Sequence, residues 1–189
     1  MSTKANFQQK IMDCVTPRRM VRFKTKFETH TIKCHVVGCG TEFFMALIVD
    51  DDQAYDGFQF FRHRDVTQIW DPMPYADFVK DALRLQKLKR PRTPKVDLQG
   101  IGSILSSISR LKFLVSIHMD VREPDICLIG TVASIDKKRF CILEIDPHAN
   151  WHDELTHIRF SSVTRLGIGA KYEKNLEMVA RWRAQKAKR

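Results

Sequence analysis

Three segments of the chain concentrate cationic side chains that can pair with phosphate, and none of the three contains an acidic residue. The chain has a net charge of +10, yet outside these segments acidic residues outnumber basic ones. Clustered positive charge attracts polyanions through counterion release, so nucleic acid is the first expected partner class and an anionic membrane surface the second. Solvated helix faces are the alternative without a partner. The cations are Arg18, Arg19, Arg22, Lys24 and Lys26; Arg84, Lys87, Lys89, Arg90, Arg92 and Lys95; and Arg181, Arg183, Lys186, Lys188 and Arg189.

The candidate catalytic and metal-binding residues are less well supported than the cationic segments. His148, His152 and His157 stand near three carboxylates, but their spacing does not direct them to one point, so a hydrated loop is favoured over a metal site or acid–base catalysis. Cys34, His35 and Cys39 are the nearest approach to a metal-binding pattern. Cys34 and His35 would face opposite sides of a strand, so they would not easily bind one ion together. The chain has no phosphate-binding loop, dinucleotide glycine pattern or nucleophile elbow. We therefore expect no catalytic residue, no metal site and no cofactor, and hence not an enzyme.

The expected location is cytoplasmic, without membrane insertion. The N-terminus MSTKANFQQKIMD lacks the apolar centre of a secretory signal, and no apolar run approaches a membrane span. Five cysteines, an odd number in apolar surroundings, are typical of reduced core thiols.

The secondary-structure elements that position these side chains are predicted from a sequence motif that occurs twice. FRHRDVTQI (61–69) and IRFSSVTRL (158–166) share Arg, then Val-Thr and an aliphatic residue, and the similarity extends upstream. A period this long suits two copies of a small domain. Short segments rich in Val, Ile, Phe and Thr predict five strands in each copy. The predicted strands are 19–27, 31–38, 43–49, 57–63 and 65–69, then 112–121, 125–135, 139–145, 155–160 and 162–167.

Helical spacing predicts helices at 5–14, 75–89, 97–110 and 170–188. Five strands within a short stretch indicate a small, strongly bent barrel. The predicted fold is mostly β with flanking helices: two five-stranded SH3-like barrels joined by a basic helical linker. We assign 1–71 to the first barrel with its N-terminal helix, 72–95 to the linker, and 96–189 to the second barrel with its two helices.

This pattern resembles the Sm-like family. Gly38 and Gly130 stand where that family has a glycine in the second strand, and the two copies of the repeated motif follow the outline of its second signature, with Arg62 and Arg159 at the signature arginine. Where the family has a glycine directly after the signature arginine, this chain has His63 in the first copy and Phe160 in the second. This difference leaves base-specific binding open. A tudor-type or other SH3-like barrel is the alternative. The resemblance implies RNA binding and, in some members, assembly into rings.

Individual contacts follow from the predicted strands. Arg62 and Arg64 alternate, so we expect both on one face, where they can pair with phosphate or stack on a base. The alternative is an ion pair with a neighbouring carboxylate such as Asp65. Lys137, Lys138 and Arg139 form a predicted hairpin tip. Tyr55 and nearby aromatics are either a base-stacking platform or core, with core favoured. The candidate nucleic-acid-binding residues are Arg62, Arg64, Arg159, Lys137, Lys138, Arg139, Arg84, Lys87, Lys89, Arg90, Arg18, Arg19 and Arg22.

The predicted function is nucleic-acid binding, with RNA favoured over DNA, by a non-enzymatic protein. The alternative is a regulatory adaptor that docks peptides on its barrels. A homo-oligomer or a protein partner stays open.

Overall fold

The computed structural model describes residues 3–15 and 19–187, and the side chains of all of these except residues 3–6 and 125. Arg18, a candidate binding residue, lies outside the described residues, as do Lys188 and Arg189 of the third cationic segment. The chain divides into two compact units, Met1–Gly100 and Ile101–Arg189.

The first unit is an antiparallel sheet with two helices. Its strands follow the order β5-β1-β2-β3-β4. The elements are α1 (Thr3–Asp13), β1 (Val21–Thr25), β2 (Ile32–Cys39), β3 (Phe43–Val49), β4 (Tyr55–Arg62), a 3-10 turn (His63–Asp65), β5 (Val66–Trp70) and α2 (Ala76–Leu85).

The core of the first unit forms where alternate strand residues turn to one face. In β1, Val21, Phe23 and Thr25 are buried while the residues between them are half-buried, as the period of two requires. Phe23 packs edge-on against Phe44 and Phe61, with ring centroids 5.3 and 4.9 Å apart. Such aromatic contacts add to the stabilisation from buried apolar area.

Helix α2 packs on the same unit through a second apolar cluster. Val79 and Leu83, one turn apart, are buried with Met20, Val49 and Met73. The helix ends at Leu85, and residues 86–100 contain no helix.

The second unit repeats this strand order as β10-β6-β7-β8-β9, all antiparallel. Its elements are α3 (Ile101–Leu111), β6 (Val115–Met119), β7 (Glu123–Ile135), β8 (Arg139–Ile145), β9 (Trp151–Arg159), a 3-10 turn (Phe160–Ser162), β10 (Arg165–Ile168) and α4 (Lys171–Lys186).

The helices of the second unit bury one stripe each. In α3, Ile104, Leu105 and Ile108 are fully buried at helical spacing. In α4, Leu176 is buried with Ile129 of β7 and with Leu114, which directly precedes β6, and Val179 and Ala180 pack against the same cluster.

The prediction of a mostly β protein is confirmed, but that of two closed barrels joined by a helical linker is wrong. In each unit, as far as it is described, the two strands at the ends of the order do not pair with each other, so each sheet is open. The reason is that alternation within a strand does not specify its neighbour. After the 3-10 turn His63–Asp65, β5 pairs with β1, with Ile69 opposite Phe23. The region predicted as a linker contributes α2 to the first unit's core.

No helix among the described residues is both long and apolar enough to cross a bilayer.

Candidate functional site

The segment 84–95, here called the basic segment, presents cations that have no carboxylate partner among the described residues. Arg84, Lys87, Lys89, Arg92 and Lys95 are exposed and Arg90 is half-buried. No ion pair joins any of these six side chains to an acid within the described part of the chain. The segment therefore has uncompensated positive charge along its whole length.

The path of the basic segment is set at both ends. At its start, Lys87 adopts a left-handed conformation (φ 55°) and the Leu88 amide donates to the Leu83 carbonyl at 3.1 Å, which turns the chain out of α2. Further on, Leu98 is buried and its carbonyl lies so close to Gly40 that a Cβ there would be 2.2 Å away. Only glycine permits this approach.

A pocket of about 430 Å³ lies in the first unit beside α2 and is here called the α2 pocket. Three of its lining residues are cations and none is acidic. Tyr55 and two leucines supply its aromatic and apolar wall. The lining residues are His35, Tyr55, Lys80, Leu83, Arg84, Leu88 and Arg90.

His35 is the buried polar group of this pocket. Its Nδ1 lies 2.8 Å from the Arg19 carbonyl, which only accepts, so Nδ1 carries the proton. Burial, and then the charges of Arg90 and Lys80, lower the pKa of His35 to about 4, while the bond to Arg19 opposes that shift. His35 is therefore neutral at physiological pH.

The other predicted cations of the first unit have structural partners or are partly enclosed. Arg19 forms an ion pair with Asp71 at 2.5 Å, and Asp71 raises the pKa of Arg19. Arg22 is half-buried in β1, and its Nε is buried without a hydrogen-bond partner among the described residues. These positions stay predictions as phosphate contacts.

Arg62 and Arg64 do not share a face, so that expectation is wrong. The 3-10 turn rotates Arg64 into solvent, whereas the Arg62 side chain is 7% exposed. Its Nε lies 3.1 Å from Glu42 Oε1, and its guanidinium lies 5.2 Å from the centre of the Phe43 ring. Burial lowers the pKa of Arg62, and the neighbouring charge of Arg64 lowers it further.

A second group of exposed cations lies at the β7–β8 hairpin. Lys137, Lys138 and Arg139 are exposed at its tip, where Arg139 lies 3.5 Å from Asp136. Arg139 is directly opposite Arg159 of β9, which is also exposed. Like charges in opposed positions destabilise a strand pair, and an anion between them would relieve that repulsion.

The three histidines at 148–157 are dispersed. His152 lies 3.9 Å from Glu144, His157 Nδ1 lies 3.0 Å from Cys141 Sγ, and the His148 carbonyl accepts a hydrogen bond from Arg183. No group of three or more potential metal ligands occurs within the described ranges.

Sequence reasoning identified Arg84 and Arg90 but not the α2 pocket. Lys80, Leu83 and Arg84 follow the i, i+3, i+4 spacing of one helical face, which was a usable signal. Tyr55 was a candidate base-stacking residue and His35 a weak metal-ligand candidate. No sequence spacing connects either of them to α2, because they reach the pocket from β2 and from the start of β4.

No protein-family model, curated protein or solved structure matches the chain. The resemblance to the Sm-like family therefore stays a prediction from sequence.

Proposed function

We propose that the protein is a non-enzymatic nucleic-acid-binding protein, with RNA favoured over DNA, that captures phosphates through the basic segment. The observation that carries the proposal is the uncompensated charge of Arg84, Lys87, Lys89, Arg90, Arg92 and Lys95. Elsewhere, cations such as Arg19, Arg62 and Arg181 pair with carboxylates. Binding to phosphates releases condensed counterions and gives the cations of the basic segment an anionic partner.

The preference for RNA rests on the resemblance to Sm-like proteins. The interpretation of the two units as tandem copies rests on the motif that occurs at 61–69 and again at 158–166. A cytoplasmic location belongs to the same proposal and is supported by the odd number of cysteines. The hairpin cations Lys137, Lys138, Arg139 and Arg159 form the second contact surface in this proposal.

The test is a mobility-shift titration of the full chain with single-stranded RNA, single-stranded DNA and duplex DNA at low and moderate salt. We expect RNA to bind most tightly, and affinity to fall by about a decade or more between the two salt conditions. Binding to none of them at low salt would contradict the proposal, as would binding only to anionic lipid vesicles.

A variant with Arg84, Lys87, Lys89 and Arg90 changed to Ala should show a large decrease in this affinity. The matched control changes four exposed, scattered cations of equal total charge, namely Lys10, Arg110, Lys112 and Lys174. Equal decreases in the two variants would mean that net charge, rather than the basic segment, governs binding.

A second candidate is an adaptor that docks an extended peptide along β9. Within the second unit as described, β9 pairs with β8 on one side only, and it exposes Trp151 and Leu155 at 41% and 47%. A strand with an unpaired edge can accept an added strand. Peptide binding of this kind would change little with salt and would be abolished in Trp151→Ala, while RNA binding would persist.

A further inference from the structure

The α2 pocket differs from the rest of the basic surface because it combines three cations with an aromatic and apolar wall. Its volume of about 430 Å³ falls within the roughly 300–1,000 Å³ of small-ligand pockets. Lys80 and Arg84 enter it from α2, Arg90 from the basic segment, and Tyr55 from β4.

The cationic side of the pocket, formed by Lys80, Arg84 and Arg90, is suited to bind a compact anion. Lys80 pairs with Asp77 at 3.0 Å, but this pair is exposed and lies at adjacent turns of one helix, where such pairs are weak. Arg84 and Arg90 form no ion pair with an acid in the described ranges. Lys80, Arg84 and Arg90 all line this one pocket, so a ligand that occupies it lies among the three cations. Arginine forks and a lysine ammonium match a phosphate.

The other side of the pocket, formed by His35, Tyr55, Leu83 and Leu88, is suited to bind a planar group that carries hydrogen-bond donors. Because His35 Nδ1 donates to the Arg19 carbonyl, the second ring nitrogen is an acceptor. An acceptor beside three cations can be satisfied by the amino group of a base or by a ribose hydroxyl. The Tyr55 ring, 6.4 Å from the His35 ring, and the side chains of Leu83 and Leu88 supply a stacking and apolar surface.

We propose that the α2 pocket binds a nucleoside 5′-phosphate, either free or at the 5′ end of a strand. Lys80, Arg84 and Arg90 hold the phosphate, Tyr55 contacts the base, and His35 accepts a hydrogen bond from the nucleoside. In its strand-end form this inference rests on the proposed function.

The first experiment measures binding of adenosine 5′-monophosphate, adenosine and inorganic phosphate to the full chain by calorimetry. We expect the monophosphate to bind at least about tenfold more tightly than either part alone, because both halves of the pocket contribute. Equal affinity for inorganic phosphate and the monophosphate would overturn the assignment of a nucleoside.

The second experiment compares a short RNA carrying a 5′-phosphate with the same RNA carrying a 5′-hydroxyl. A preference for the 5′-phosphate identifies strand ends as the source, whereas binding of the free monophosphate without that preference identifies free nucleotides. Either result supports the site. Absence of both overturns it, and if the two RNAs still bind with a steep salt dependence, the proposed function stands without this site.

Matched variants separate the pocket from general charge. Arg84→Gln should weaken monophosphate binding by about tenfold to a hundredfold, the range for removal of a charge-assisted hydrogen bond, while Arg110→Gln, which removes an equal charge outside both the pocket and the basic segment, should not. Lys80→Gln and Lys10→Gln form a second pair with the same expectation. Tyr55→Leu should reduce the advantage of the monophosphate over inorganic phosphate. Equal effects within both pairs would overturn the proposal.

Discussion

At the scale of single residues, Arg62 and Arg64 show how environment separates two like side chains. Arg62 is buried against Phe43 and pairs with Glu42, whereas Arg64 extends into solvent. A buried guanidinium gives up its hydration and depends on the protein for its partners. We therefore expect Arg62 to contribute to stability.

Arg62→Met should lower the free energy of unfolding by about 1–3 kcal/mol, because it removes a charge-assisted hydrogen bond. Arg64→Met should change it by less than about 0.5 kcal/mol, as surface substitutions usually do. Urea unfolding of both variants measures the difference. If Arg62→Met instead reduced RNA affinity at unchanged stability, its predicted role as a phosphate contact would be correct.

His118 links pH to stability in the second unit. Its Nδ1 lies 3.1 Å from an Arg165 nitrogen and its Nε2 lies 3.5 Å from Cys127 Sγ. Burial, and then the charge of Arg165, lower the pKa of His118 to about 4, while Asp120 opposes the shift. The unfolded chain then binds a proton that the folded chain does not bind between pH 6.5 and about 4.

The contribution of His118 should thus be fully present above pH 6.5 and decline as the pH falls toward about 4. The slope for one such group is at most about 1.4 kcal/mol per pH unit. Unfolding measured across this range should show a shallower decline in His118→Gln than in the native chain. Identical slopes would mean that His118 has its ordinary pKa in the folded protein.

At the scale of elements, α2 shows which of its apolar residues support the fold. Leu83 is 6% exposed within the cluster below the helix, whereas Phe78 on the same helix is 65% exposed. Leu83→Ala should cost about 2–5 kcal/mol, as for other buried leucines, and should also remove a wall of the α2 pocket.

Phe78→Ala is the matched control, because it deletes a larger side chain from the same helix and should cost less than about 0.5 kcal/mol. Thermal or denaturant unfolding of Leu83→Ala and Phe78→Ala measures the loss of unfolding free energy in each variant. A strong destabilisation by Phe78→Ala would show that this side chain is covered in solution.

The end of α2 explains one difference between the predicted and observed elements. Charge and apolar spacing predicted a helix over 75–89, but it ends at Leu85. The termination uses Lys87 at positive φ, a position where glycine is the usual signal. Without glycine or proline before Pro91, the sequence pattern had no marker for this end.

At the scale of the whole molecule, the basic segment and the hairpin cations should contribute unequally to binding. Changing Arg84, Lys87, Lys89 and Arg90 to Ala should flatten the plot of log affinity against log salt by about 0.7 for each phosphate that the variant no longer neutralises, if the strand is single. Changing Lys137, Lys138, Arg139 and Arg159 to Ala should flatten it less, because Arg139 already lies 3.5 Å from Asp136. The slopes from salt titrations of both variants provide the comparison, and a larger effect of the hairpin variant would place the main binding surface in the second unit.

The strands were largely predictable because alternation and turn residues are local properties of the chain. The prediction of β3 at 43–49 and of β8 at 139–145 agrees with the structure at both ends. The repeated motif correctly marked a break between two strands in each unit, and the clustering of cations at 84–95 was visible from composition alone.

What the sequence could not determine depends on residues that are distant in the chain. Whether Arg62 or Arg64 is exposed depends on a 3-10 turn and on Glu42, twenty residues before Arg62. Whether each sheet closes depends on which strands pair, and alternation within a strand does not specify its neighbour. The α2 pocket joins His35 and Tyr55 to Lys80, Arg84 and Arg90 only because Val79 and Leu83 pack α2 onto the sheet. The sequence by itself determined the strands and the charge, and tertiary packing decided which cations remain available to a ligand.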